Sequence, residues 1–134
     1  MPDRGTILVV DDDPFTCELV QEILAPEGYH VLIATAGPEA LARFRRHAAE
    51  IRAVLLDLLM PGMSGKVVCD EISRTHPGTR VILMTAVNEP LAQVAMTGLS
   101  LAGILSKPFD QAELLATVRE VVEGMGNPQR GRER

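Results

Sequence analysis

The sequence predicts a doubly wound α/β fold, with a parallel sheet of five strands and helices on both faces. Three observations predict it. Short apolar runs recur along the chain, as buried parallel strands do. Stretches with apolar residues at helical spacing separate them. Gly, Pro and Asp cluster at most of the junctions. Strands alternating with helices imply right-handed crossovers and a parallel sheet. With 134 residues the chain holds one domain and a real core.

Each element follows in order. Thr6 to Val10 is β-branched and apolar, a buried first strand. Asp11, Asp12 and Asp13 follow, and Pro14 suits the first position of a helix that Asp13 caps. Phe15, Leu19, Ile23 and Leu24 carry that helix to about Ala25, where Pro26 and Gly28 end it. Tyr29 to Ala34 is the second strand, and Gly37-Pro38-Glu39 opens the second helix, with Ala40, Leu41 and Phe44 apolar and Arg43, Arg45 and Arg46 solvated. Ala53 to Leu56 is the third strand and delivers Asp57. After the loop Met60 to Gly65, residues Val67, Val68, Cys69 and Ile72 suit a third helix ending near His76-Pro77-Gly78. Arg80 to Met84 is the fourth strand, stopping at Thr85-Ala86, and Asn88-Glu89-Pro90 starts a fourth helix. Gly103 to Ser106 is a short fifth strand, and Asp110 caps a last helix containing Leu114, Val118 and Val122. The domain is expected over residues 1–123, followed by a disordered tail over 124–134.

Composition excludes several classes. The formal charge is -5 and the pI near 5.1, against a bulk electrostatic grip on nucleic acid. Aromatic residues make up 3% with no Trp, against a base-stacking platform. No apolar run approaches the roughly 20 residues of a membrane span, and the N-terminus carries acids where a signal peptide needs an apolar core. Cys17 and Cys69 lie apart inside expected helices and read as reduced core residues of a cytoplasmic protein. His30, His47 and His76 are scattered and read as structural.

The chemistry gathers at one edge. Four strands end in polar groups: Asp11 and Asp12 after the first, Asp57 after the third, Thr85 after the fourth and Lys107 after the fifth. In a parallel sheet these groups share the edge where open α/β sheets bind ligands. Three carboxylates there repel and raise one another's pKa. A divalent cation relieves this, and Mg²⁺ favours one or two carboxylates plus phosphate oxygens. Lys107 and the Thr85 hydroxyl can hold the remaining phosphate oxygens. The set suits an Asp57 carboxylate that attacks phosphorus.

With these residues in place the chain resembles the receiver domains of two-component response regulators, over residues 5 to about 123. The matching motifs are ILVVDDDP, VLLDLLMPGMSG, VILMTA and ILSKPF, in order and at family spacing. The resemblance implies a flavodoxin-like (βα)5 fold with strand order 2-1-3-4-5. It implies that Asp57 accepts a phosphoryl group from the phosphohistidine of a histidine kinase or phosphotransfer protein. Asp11, Asp12, Asp57 and the backbone carbonyl of Leu59 would hold Mg²⁺. Thr85 would be the switch hydroxyl and Lys107 the phosphate-pairing lysine, with a cis bond before Pro108. The output would be a change in the face made by the fourth helix, fifth strand and last helix, read by a downstream protein partner or an output domain. By the same resemblance the chain is not an enzyme beyond its own phosphorylation and slow dephosphorylation.

Three departures stand out. The family usually has Tyr or Phe three residues before the lysine, and here Ile104 holds that position, so the switch reads out differently. No charged residue occurs from Pro90 to Ser106, which suits either a well-buried fourth helix or an apolar face for a partner or a homodimer. Leu59 and Val87, which flank the route of water to the phosphorylated Asp57, are both apolar, so slow hydrolysis is expected. Two other functions fit parts of the pattern. A phosphatase of the haloacid-dehalogenase type would use the D-x-D of Asp11 to Asp13, with Asp11 as nucleophile, but gives Asp57 no role. A pseudo-receiver that only binds a partner has no need of the full acid, Thr and Lys set.

Overall fold

The computed structural model describes residues 3–86 and 101–124. In chain order the elements are β1 (Gly5–Val10), α1 (Pro14–Leu24), β2 (Tyr29–Ala34), α2 (Gly37–His47), β3 (Ile51–Asp57), α3 (Gly65–Thr75), β4 (Arg80–Thr85), β5 (Gly103–Ser106) and α4 (Gln111–Gly124). The five strands are parallel in the order 2-1-3-4-5. The helix expected after the fourth strand, with Asn88 to Ser100, and the tail beyond Gly124 lie outside the described residues.

Alternation along the central strands separates two cores. Ile7, Val9 and Leu55 face one way and pack with Val20 and Leu24 of α1 and Leu114 and Val118 of α4. Leu8, Val10 and Leu56 face the other way, against Leu41 and Phe44 of α2 and Val68 and Ile72 of α3. A period of two in a strand with both faces covered gives this division.

The helix starts are fixed locally. The Asp13 carboxylate accepts from the Phe15 amide at 3.0 Å, capping α1 as its sequence position suggests. Ser64 caps α3. At α4, Asp110 and Glu113 exchange backbone-to-carboxylate bonds of 3.0 and 2.8 Å, a reciprocal capping box. A short 3-10 turn (Ala25–Glu27) follows α1 and closes at Gly28, whose φ of 101° only glycine adopts cheaply.

One expected boundary is corrected. The third strand begins at Ile51 rather than Ala53, because buried Ile51 pairs with Thr6 across an irregularity in the β1–β3 register. On α1 the buried residues are Cys17, Val20 and Leu24, whereas Phe15 and Leu19 are exposed. The helix carries apolar residues on more than one face, and helical spacing alone does not say which face meets the sheet. Both cysteines are free and buried. Arg43, Arg45 and Arg46 are exposed as expected. His76 packs edge-on against Phe44, with ring centroids 5.0 Å apart.

Candidate functional site

The carboxyl ends of β1 and β3 are neighbours in the sheet, so the residues leaving them arrive together. Asp11 follows β1 and is fully buried, and its own amide continues the ladder to the Ala34 carbonyl at 3.1 Å. Asp57 closes β3 and is 8% exposed. Asp12, the next residue along, is exposed. One oxygen from each of the three lies within 4.8 Å of the others.

Lys107 enters from the end of β5, where its backbone amide donates to the Thr85 carbonyl at 2.8 Å. Its ammonium donates to Asp11 Oδ2 at 2.5 Å and lies 3.7 Å from Asp57 Oδ2. The sequence placed Lys107 opposite the acids, and here it sits between two of them as their counter-charge. The Lys107–Pro108 peptide is cis. Thr85 is buried at the end of β4, in register with Ser106.

The loop after β3 is held at its start by β4 and closed at its base. The Leu58 amide donates to the Met84 carbonyl at 3.3 Å and the Gly65 amide to the Leu58 carbonyl at 2.9 Å. A Cβ on Gly65 would lie 2.3 Å from the Asp57 carbonyl oxygen, so only glycine lets α3 start here. The Leu59 amide donates to Asp57 Oδ1 at 3.3 Å, while the Leu59 side chain stands exposed. Asp11 Oδ1 likewise accepts from the Asp13 amide at 2.9 Å.

The electrostatics follow from this crowding. The Asp57 pKa is pushed up to about 6, first by burial and then by the charge of Asp11, against the pull of Lys107 and the Leu59 amide. Burial outweighs the mutual repulsion expected from the sequence. For Lys107, burial opposes the charge, but the hydrogen bond and charge of Asp11, reinforced by Asp57 and Asp12, raise its pKa. The Cys17 thiol donates to the Asp11 carbonyl at 3.4 Å, and burial pushes it up to about 11, which makes it a packing group rather than a nucleophile.

Such a set fits a hard divalent cation. It offers carboxylate oxygens only, gathered closely, and one of them carries an unfavourable charge. The structure therefore brings together Asp11, Asp12, Asp57 and Lys107, with Thr85 on the adjacent strand end. Ile104 lies on β5 in register with Leu83, half exposed and two places back from the Thr85–Ser106 pair. Val87 lies outside the described residues. The local signal for the Gly65 approach was present in the sequence as a glycine at the start of α3, but its reason is visible only in three dimensions.

Comparison with known proteins identifies the family. The family model described as response regulator receiver domain matches residues 7–119. The chain belongs to the response regulator receiver domain family. Among curated relatives, this receiver domain is 35% identical over 122 residues to the sensory transduction protein RegX3 of Mycobacterium bovis, covering 91% of this chain and 52% of that protein. It is 37% identical over 116 residues to the transcriptional regulatory protein CpxR of Klebsiella pneumoniae, covering 87% and 48%. The receiver domain thus spans about half the length of the curated relatives it matches. Among solved structures, a CheY-like receiver domain protein from Methanospirillum hungatei superposes with a TM-score of 0.84 at 26% identity, covering 92% of this chain and 98% of that one. The response regulator TrrA of Thermotoga maritima, solved in complex with Mg(2+)-BeF, gives 0.76 at 34% identity, covering 87% and 98%. Among the described residues, no helix is long and apolar enough to cross a membrane.

Proposed function

We propose that this receiver domain accepts a phosphoryl group on Asp57 from the phosphohistidine of a histidine kinase or phosphotransfer protein. The observation that carries the reading is the convergence of Asp11, Asp12 and Asp57 within 4.8 Å, with Lys107 between the two buried ones. An Asp57 oxygen attacks phosphorus, the phosphorus–nitrogen bond of the donor breaks, and the imidazole leaves with that electron pair. The Asp57 side chain is held toward the site by the Leu59 amide. Lys107 neutralises charge on the transferring group, and the Thr85 hydroxyl accompanies it as the switch group. Asp11, Asp12, Asp57 and the Leu59 carbonyl would hold Mg²⁺, which supplies positive charge to the phosphate oxygens when bound. That the similar chain TrrA was solved in complex with Mg(2+)-BeF supports a role for Mg²⁺.

Asp11 is a poor alternative nucleophile. It is fully buried and already engaged by Lys107 and the Asp13 amide. The exposed apolar side chains of Phe15, Leu19 and Leu59 suit a protein donor rather than a small molecule. Ile104 in the usual aromatic position points to a readout without a ring flip. The output would be a downstream partner or an output domain such as relatives of twice this length have room for. We place the domain at residues 1–123, in the cytoplasm, with no turnover beyond its own phosphorylation and slow dephosphorylation.

Intact-protein mass after incubation with Mg²⁺ and acetyl phosphate tests this. One phosphoryl adduct is expected, absent from Asp57→Asn and from a metal-free control. An adduct that survives Asp57→Asn would overturn the assignment in favour of Asp11.

A further inference from the structure

The loop between β3 and α3 carries the Leu59 amide and carbonyl, and its far side rests on α2. Gly37, the first residue of α2, is buried. A Cβ added there would lie 2.6 Å from Met63 Cβ and 2.8 Å from both Cγ and Sδ of the same residue. Met63 therefore occupies the space that any other residue at position 37 would need. The Cβ contact matters most. A side chain's far end can turn away, but Cβ is fixed by its own backbone, so relief requires the loop or the helix to move.

Neither can move freely. The helix start is held by the Ala40 amide on the Ala36 carbonyl at 2.9 Å and by the Thr35 amide on Glu39 Oε1 at 2.8 Å. The loop is closed at its base by the Gly65 amide on the Leu58 carbonyl, and Met60 is buried in the core beneath it. Between Leu59 and Met63 the chain has only Met60 and the Pro61-Gly62 turn, with Gly62 at φ 79°. A displacement imposed at Met63 is thus passed to Leu59 over a short, anchored path.

We propose that Gly37 is a positioning residue, which by admitting Met63 sets where the loop holds Leu59 against Asp57. α2 then supports the metal-binding loop although none of its residues reaches the acids. The consequence for Mg²⁺ rests on the receiver reading given above, whereas the coupling itself does not.

The test compares Gly37→Ala, Gly37→Ala with Met63→Gly, and Gly37→Ala with Met63→Ala. The metal-free protein is followed by the Leu59 amide resonance and its hydrogen exchange, and Mg²⁺ alone is then titrated calorimetrically. In Gly37→Ala the Leu59 amide should shift and exchange faster, and Mg²⁺ affinity should fall about tenfold, as when an outer-shell support is lost. Met63→Gly should restore most of both, because it removes the opposing Cβ. Met63→Ala, which keeps that Cβ, should restore neither. An unmoved Leu59 amide, or a defect that Met63→Gly leaves in place, would overturn the proposal. If Gly37→Ala does not fold, recovery of the fold by Met63→Gly and not by Met63→Ala supports the contact, and no recovery by either overturns it. Absence of any Mg²⁺ response in the unaltered chain would sink the Mg²⁺-dependent phosphoacceptor function proposed above, while the Leu59 amide would still decide the coupling.

Discussion

The two ends of the sheet both gather charged side chains, and they do so in opposite ways. At the amino-terminal end, Asp3, His30, His47, Glu50 and Arg52 line an open cavity of about 590 Å³. There each acid faces a base, with Asp3 3.5 Å from His30 and Glu50 3.3 Å from His47, and three of these four side chains are about two-thirds exposed. At the carboxyl end three acids crowd together, and the side chains of Asp11 and Asp57 are 1% and 11% exposed. Exposed acid–imidazole pairs cost little and contribute little. Buried like charges are costly unless something compensates them. Unmet electrostatic demand marks the candidate site, not the number of charges or the size of the hollow.

The largest effect is expected from removing Lys107, among the described residues the one cation in contact with the acids. Lys107→Ala should slow adduct formation about a hundredfold, the scale of losing one charge-stabilising donor, whereas Arg52→Ala at the other end should change it less than about twofold. Comparable losses at both ends, followed by intact mass against time, would erase the distinction.

The next effect is on stability. The Asp57 pKa in the fold is raised from 3.8 to about 6. Its protonated form favours the fold, so this contribution is full below about pH 3.8 and is lost as the pH rises through about 6. Metal-free Asp57→Asn should therefore be more stable than the parent by about 2 kcal/mol at pH 7.5, with the difference fading toward pH 4. Asp3→Asn should shift stability by less than about 0.5 kcal/mol at either pH. Urea unfolding at the two pH values reads both.

A smaller effect concerns the lifetime of the phosphoryl group. Leu59 stands exposed beside Asp57 and cannot orient water. Leu59→Asn should speed loss of the adduct about fivefold, roughly 1 kcal/mol of barrier, and Val87→Glu should act in the same direction. The decay of the purified adduct gives the rate, and no acceleration in either variant would remove the apolar shield as the cause of slow loss.

Much of this was legible in the sequence, for identifiable reasons. β2 and β5 have their expected bounds because Gly residues and polar steps punctuate short apolar runs. The strand-end acids, Thr85 and Lys107 could be placed on one edge because a parallel sheet sends every carboxyl end the same way. What the sequence withheld depends on distance. Helical spacing could not tell that Phe15 and Leu19 face outward while Val20 faces the core. The closer pairing of Lys107 with Asp11 than with Asp57 depends on where two strand ends stop relative to a third. The fit of Met63 over Gly37 joins residues that no local pattern links.

The most direct test of the account is titration of the Asp57 carboxyl by carbon-13 NMR, without metal and with saturating Mg²⁺. A midpoint near 6 is expected without metal, with a clear fall when Mg²⁺ is added. A midpoint near the ordinary value of 3.8, unmoved by Mg²⁺, would contradict the account.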